Sequence, residues 1–380
     1  MISDLFRIST CLPVGRYSDL EFNNFMDTTL TLIITRIITT AAKRKASDIH
    51  FSIGSKPIVR IDDQLVEIDE EEIVTDDFLR KFIDDSIDDY HKKVLEEEKE
   101  VSFVYIFEDK VRIRMNVYYQ KGALAVSLKL ISLRVPSMND IGLPKIATQF
   151  IEAQHGLVII SGPYGSGKTT SAAAMVDAVN KTRSENIITI EKPIEYIFFN
   201  DKSIVEQREV GRDARSFVDA MKYCFKEDAD VLMVGENDEN IVSLMLDMAA
   251  SGRLVFSVMG QLSAVEVLED IISKFSGDSQ KHGREILAKV LLGVIVQRLL
   301  PRVGGGKVLA YEVLMNSLPA ASLILDGKIQ QLDSIIQNSQ DEGMMSLDQS
   351  LVRLVKNGEV SSKVAYDEAH DKQNFKTMIK

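Results

Sequence analysis

Only two cysteines stand in 380 residues, Cys11 and Cys224, and they lie far apart. Without a C-x-x-C pair there is neither a zinc ribbon nor a disulfide framework, and a reduced, cytoplasmic setting fits. Basic residues are in the minority. With 45 Lys and Arg against 57 Asp and Glu, the formal net charge is −12, which argues against general electrostatic attraction to nucleic acid. Long apolar runs are missing too. The best one near the start, Leu30 to Ile38, is interrupted by Arg36 and threonines and falls well short of the ~20 residues a membrane span needs. No basic segment leads into an apolar core and a small-residue cleavage site, so no signal peptide is expected. Membrane association then has to come through a partner, peripherally.

What is present is ordinary for a soluble globular chain: 45% hydrophobic and 27% charged residues, over a length that suggests two domains. The rest of the sequence is organised around residues 155 to 170, HGLVIISGPYGSGKTT. Leu157 to Ile160 form a short apolar run of the kind that makes a buried parallel strand. The segment Gly162, Pro163, Tyr164, Gly165, Ser166, Gly167, Lys168, Thr169 fits G-x-x-x-x-G-K-[ST] without a mismatch, and Thr170 leads into a helix-forming run. Strand, glycine loop and helix in that order are the context of a P-loop rather than of a plain turn. Glycines allow the tight backbone path that points successive N–H groups inward around phosphate oxygens, and the helix N-terminus adds partial positive charge. Lys168 is expected at the β- and γ-phosphates of ATP, and the Thr169 hydroxyl on Mg²⁺.

Before this segment the chain reads as an extension over 1–24, a small α+β domain over 25–132 and a linker over 133–148, marked by Pro136 and Gly142. The spacing predicts a helix from Phe25 to Lys45 with Leu32, Ile33, Ile37 and Ala41 on one face. Alternating segments at 48–53, 58–61, 64–68, 101–107, 110–119 and 124–131 predict strands, with turns at Asp62-Asp63 and Glu108-Asp109. Residues 76–100 predict one charge-rich helix. From 149 to 380 strands alternate with helices, the signature of a parallel α/β sheet. Strands are expected at 186–191, 230–234 and 253–258, and helices at 213–226 and 240–250. A hairpin around Gly304 to Gly306 and four short helices complete the chain. In the 213–226 helix, Phe217, Ala220, Met221, Cys224 and Phe225 share a stripe, which makes Cys224 a core thiol.

Two acids fall at the C-terminal ends of predicted strands, where open α/β sheets place their ligands. Glu191 ends IITIE and Glu236 follows DVLMVG. One such carboxylate helps hold Mg²⁺ through water and another polarises the attacking water; the plainer alternative is a pair of solvated loop acids.

These pieces resemble the secretion-superfamily ATPases, and among them the type IV pilus retraction ATPase (PilT-like) family. The matching segments are KASDIHFSIG, RIRMNVYYQKG, GPYGSGKTT, ITIEKPIEY, VEQREVGRD, KEDADVLMVGE, SGRLVFSV and QRLLPR, spread over about 42 to 360. The resemblance implies a PAS-like N-terminal domain and a RecA-like ATPase domain. It also implies a hexameric ring, of one chain or mixed with a PilT-like paralogue, that moves pilin subunits on an inner-membrane pilus platform protein. It makes Lys168 and Thr169 the Walker A pair, places Glu191 and Glu195 in the acidic box, and makes Glu236 the Walker B glutamate. Arg112 and Arg114 match arginines that approach nucleotide at subunit boundaries, the alternative being strand-borne surface charge.

The departures from the family pattern are specific. The histidine box G-T-L-H-T-N-S-A is replaced by Ser257 to Ala264, with Gly260 at the histidine position. Lys192 replaces the acidic-box aspartate. Asn237-Asp238-Glu239 stand for M-R-D, and Lys121 replaces the arginine of F-x-Q-R-G, which is not equivalent where a planar fork grips phosphate. The retraction-associated A-I-R-N-L-I-R-E is only weakly echoed by Ala320 to Asp326. An accessory paralogue with weakened catalysis and a motor of a related secretion system are therefore carried as alternatives. A RecA-type nucleic-acid motor fits poorly with the acidic balance.

Overall fold

The computed structural model describes residues 28–44, 46–61, 64–107, 111–131, 134–235, 241–277 and 279–379. The extension over 1–24, the start of the first predicted helix, the turns at Asp62-Asp63 and Glu108-Asp109, and Glu236 lie outside them. The chain divides between Arg134 and Val135 into two compact units. Together they give the expected α/β fold class, a RecA-like domain preceded by a smaller α+β one. Among the described residues no helix is long and apolar enough to cross a membrane.

The first unit runs α1 (Thr28–Lys43), β1 (Asp48–Ser52), β2 (Ile58–Ile61), β3 (Gln64–Glu67), α2 (Asp76–Ser86), α3 (Asp89–Glu98), β4 (Glu100–Phe107), β5 (Val111–Gln120) and β6 (Ala123–Ile131). Its six strands form one antiparallel sheet in the order β3-β2-β1-β6-β5-β4. The core brings α1 and α2 against the sheet through Ile34, Ile37, Phe82, Ile49, Phe51, Ile113 and Met115. Two expectations fail here. Leu32 is 65% exposed, and the buried stripe of α1 is Leu30, Ile34, Ile37, Ile38 and Ala41. Apolar residues occupy more than one side of this helix, so spacing alone permits two stripes. The single helix over 76–100 is two, because Ile87 is extended and the Asp88 side chain accepts the His91 N–H to cap a new start.

In the second unit, α4 (Ala147–Glu152) precedes β7 (Gly156–Ser161), α5 (Lys168–Thr182), β8 (Asn186–Glu191) and β9 (Ile204–Glu209). Next come α6 (Phe217–Cys224), β10 (Val231–Val234), α7 (Val242–Ala250), β11 (Leu254–Val258), α8 (Ala264–Ser273) and α9 (Ser279–Val290). The hairpin β12 (Leu291–Pro301) and β13 (Lys307–Met315) is followed by five helices rather than four: α10 (Leu318–Asp326), α11 (Leu332–Asn338), α12 (Leu347–Lys356), α13 (Ser362–Glu368) and α14 (Lys372–Ile379). The sheet order is β13-β12-β7-β11-β10-β8-β9, parallel except for the β12–β13 hairpin. Every residue of β7 is buried, as its unbroken apolar run requires of a central parallel strand. Helix α6 is shorter than expected, since Ser216 caps it by accepting the Asp219 N–H. Cys224 is a free thiol within the core, where burial pushes its pKa up to about 12, while Phe225 falls beyond the helix and is 37% exposed.

Candidate nucleotide-binding site

The loop between β7 and α5 takes the left-handed backbone that favours glycine at three points: φ is +141° at Gly162, +78° at Gly165 and +86° at Gly167. At Gly162 the constraint is also steric, because a Cβ there would lie 2.3 Å from the Gln297 carbonyl oxygen of β12. Within the loop, Ser166 N donates to Pro163 O at 3.2 Å, and Tyr164 stands out 87% exposed. Lys168 opens α5, and its Nζ donates to Gly162 O and Pro163 O, both at 2.8 Å. Thr169 follows in the first turn. Thr170 Oγ1 lies 3.1 Å from the Tyr196 hydroxyl. The helix packs closely because its inward residues are small: Ala172, Ala173 and Ala174 are all buried. The sequence-predicted residues Gly162, Pro163, Gly165, Ser166, Gly167, Lys168, Thr169 and Thr170 therefore form one continuous loop and helix start.

Glu191 closes β8 and is 2% exposed. Its Oε1 accepts from Thr189 Oγ1 at 2.7 Å and from Gln207 Nε2 at 3.3 Å. Gln207 is fixed in turn: Nε2 also donates to Tyr196 O at 2.8 Å, and Oε1 accepts from Phe198 N at 2.9 Å. Burial drives the Glu191 pKa up to about 7. The hydrogen bonds from Thr189 and Gln207 oppose that rise, and the Glu195 charge adds to it. Glu195 is buried as well. Tyr196 thus touches both parts of the site, its hydroxyl against Thr170 and its backbone carbonyl on the Gln207 amide that also reaches Glu191. A Cβ on Gly235 would lie 3.4 Å from Glu191 Cγ, so the end of β10 meets the end of β8 beside this carboxyl. Glu236 follows Gly235 but lies outside the described residues.

At the histidine-box position, Met259 N donates to Ile160 O and Ser161 Oγ to Gln261 O, at 2.9 and 2.8 Å, which ties the turn after β11 to the end of β7. Gly260 itself has open space where a side chain would begin. Arg112 and Arg114 belong to the first unit, on the face of β5 opposite Ile113 and Met115. Arg112 is buried, and Arg114 Nε donates to Ser102 Oγ at 3.2 Å. Among the described residues no group of three or more His, Cys, Asp or Glu side chains is placed to hold a metal ion.

Reading the sequence for site residues misses Tyr196, Gln207 and Gln297. The available signal for Gln297 is a lone amide in the apolar run of β12; Gln207 sits in a segment of mixed polarity with no comparable mark.

Comparison with known proteins places these features in a family. Residues 25–311 match the family described as Type II/IV secretion system protein. The type IV pilus retraction ATPase PilT of Pseudomonas aeruginosa is 33% identical, over 90% of this chain and 99% of its own length. A twitching motility protein of Neisseria gonorrhoeae is 31% identical, over 84% and 86% respectively. Among solved structures, the pilus retraction motor PilT with bound ADP superposes with a TM-score of 0.79 at 37% identity, covering 90% of this chain and 99% of that one. The breadth of these matches, across both units and through the glycine loop, makes the chain a member of the Type II/IV secretion system protein family.

Proposed function

We propose that this chain is an ATP-binding motor ATPase of the type IV pilus that couples ATP hydrolysis to pilus retraction and twitching motility. The observation that carries the proposal is the loop from Gly162 to Thr170, with its three positive-φ glycines and Lys168 at the mouth of α5. Likeness to PilT over nearly the whole chain supports the same reading. The working form is a hexameric ring, of this chain alone or mixed with a PilT-like paralogue. It sits in the cytoplasm against the inner membrane through a pilus platform protein.

Each part has a role set by its chemistry. Backbone N–H groups of the loop hold phosphate oxygens, and Lys168 supplies the mobile cation. The Thr169 hydroxyl, with Glu191 or Glu236 acting through water, would hold Mg²⁺. An all-oxygen donor set with few protein ligands suits this hard cation, which keeps several waters and binds along with phosphates. When bound, Mg²⁺ neutralises charge on the phosphates. Glu236 orients the attacking water, and Thr189 and Gln207 fix the orientation of the Glu191 carboxyl. Arg112 and Arg114 reach the nucleotide across a subunit boundary.

Turnover is slow by the standard of complete family members. Gly260, Lys192 and Asn237-Asp238-Glu239 take away groups that order water or meet developing charge, and one lost stabiliser typically lowers the rate ~10²–10³-fold. Calorimetric titration with ATP tests the proposal. Lys168→Ala should abolish binding, and unchanged affinity in that variant overturns the phosphate-cradle reading.

A further inference from the structure

The glycine loop is braced from outside its own strand–loop–helix unit. Strand β12 runs parallel to β7, with Ile295 opposite Ile160 and Val296 opposite Ser161, so Gln297 arrives beside Gly162. Its side chain is fully buried, and Nε2 donates to Ser166 O at 2.7 Å across 131 positions of sequence. Its own carbonyl oxygen fills the space where a Gly162 side chain would stand, and a Cβ on Gly167 would come within 3.4 Å of Nε2. Strand and loop are therefore fitted to each other at three points.

Packing alone does not call for glutamine here. Oε1 is buried with no hydrogen-bond partner, an unfavourable arrangement that methionine of similar length would avoid. What glutamine supplies and methionine does not is the donor to Ser166 O. The direction of that bond matters, because a trans peptide is planar and its C=O and N–H point opposite ways. Holding Ser166 O toward β12 turns Gly167 N–H away from β12. Arg298 steadies the same strand: Nη1 donates to Gln297 O at 3.3 Å and Nη2 to Leu262 O at 3.1 Å, in the turn after β11.

We propose that Gln297 is a positioning residue of the phosphate loop, its amide fixing the Ser166–Gly167 peptide plane and so the direction in which Gly167 N–H meets a phosphate oxygen. This rests on the reading of residues 162–170 as a nucleotide site. Gln297 touches no reacting atom; it acts through the loop backbone.

The test titrates ADP and ATP calorimetrically into the full chain, as wild type, Gln297→Met, Gln297→Glu and Lys168→Ala, with circular dichroism as the fold control. Gln297→Met keeps the length and removes the donor. Both nucleotides should bind it about 3- to 10-fold more weakly, the effect of one neutral buried hydrogen bond. Gln297→Glu can still donate to Ser166 O while protonated, which burial favours, and meets it with a charged acceptor once ionised. Its affinity relative to wild type at the same pH should therefore fall as the carboxyl ionises, whereas a packing role predicts wild-type affinity in Gln297→Met. Wild-type affinity in Gln297→Met, or a Gln297→Glu ratio flat with pH where the methionine variant does not fold, overturns the inference and leaves the loop reading standing. Lys168→Ala binding as tightly as wild type, or wild type binding neither nucleotide, overturns the loop reading and the inference with it.

Discussion

Replacing Glu191 by Gln should make the nucleotide-free protein more stable at alkaline pH, and the size of the gain follows from the burial of this carboxyl. Thr189 Oγ1 and Gln207 Nε2 donate to the same oxygen, Oε1, so an amide oxygen in its place keeps these two bonds. The substitution then removes mainly the ability to ionise. In the folded chain burial holds the Glu191 pKa at about 7, against an ordinary value of 4.5. The folded state thus binds the proton more tightly than the unfolded state does. Stability from this group is present at low pH and is lost as pH rises from about 4.5 through about 7. At 1.36 kcal/mol per pKa unit, the wild type should lose roughly 2–3 kcal/mol from this source between pH 5 and pH 8, and Glu191→Gln should lose none of it. Urea unfolding of both proteins at each pH, followed by a probe in the second unit, measures the difference while other titrating groups cancel. Parallel pH dependences in the two proteins would refute the buried-acid reasoning.

Other changes probe other parts of the site. Gly162→Ala should destroy nucleotide binding and destabilise the second unit, because its Cβ would meet the Gln297 carbonyl at 2.3 Å with φ at +141°; wild-type ADP affinity in a titration contradicts this. Gly260→His should fold normally, since its Cβ enters open space, and should raise ATP turnover by less than ~10-fold, because one restored stabiliser does not act alone. A phosphate-release assay with a much larger gain would mean that the histidine position alone limits the rate. Mixed Arg112→Ala/Arg114→Ala and Glu236→Gln subunits should regain part of the turnover that each lacks, and rings that never complement would remove the arginines from the shared site.

The glycine loop was legible in the sequence because everything that defines it is local: an apolar run, glycines at fixed offsets, Lys168 and Thr169, then small residues for a closely packed helix. Glu191 was legible for a related reason, as the last residue of a short apolar strand. Edge strand β9 was not. Its sequence IVEQRE is partly solvated on both faces and lacks the apolar alternation that marks a half-buried strand. The break between α2 and α3 was hidden inside a run rich in charge, where Asp88 looks like one more acid until its side chain is seen capping His91. Nor could Leu32 be placed, with apolar residues all around α1 and only tertiary contact choosing among them. Gln297 and Gln207 act through bonds that depend on sheet order, which strand-by-strand reading does not supply. Glu236, read from the sequence as a strand-end acid, falls outside the described residues.

The two bonds from Lys168 Nζ to the carbonyls of Gly162 and Pro163 give the loop a built-in threshold for its guest. A visiting anion would have to compete for this ammonium with two carbonyl oxygens at 2.8 Å. Those bonds already carry the charge of the ammonium, so what a phosphate adds is the negative charge of its own acceptor oxygens, and on the reading proposed above a multiply charged polyphosphate tail would win that exchange where a single weak oxyanion would not. The lysine would then filter as well as attract.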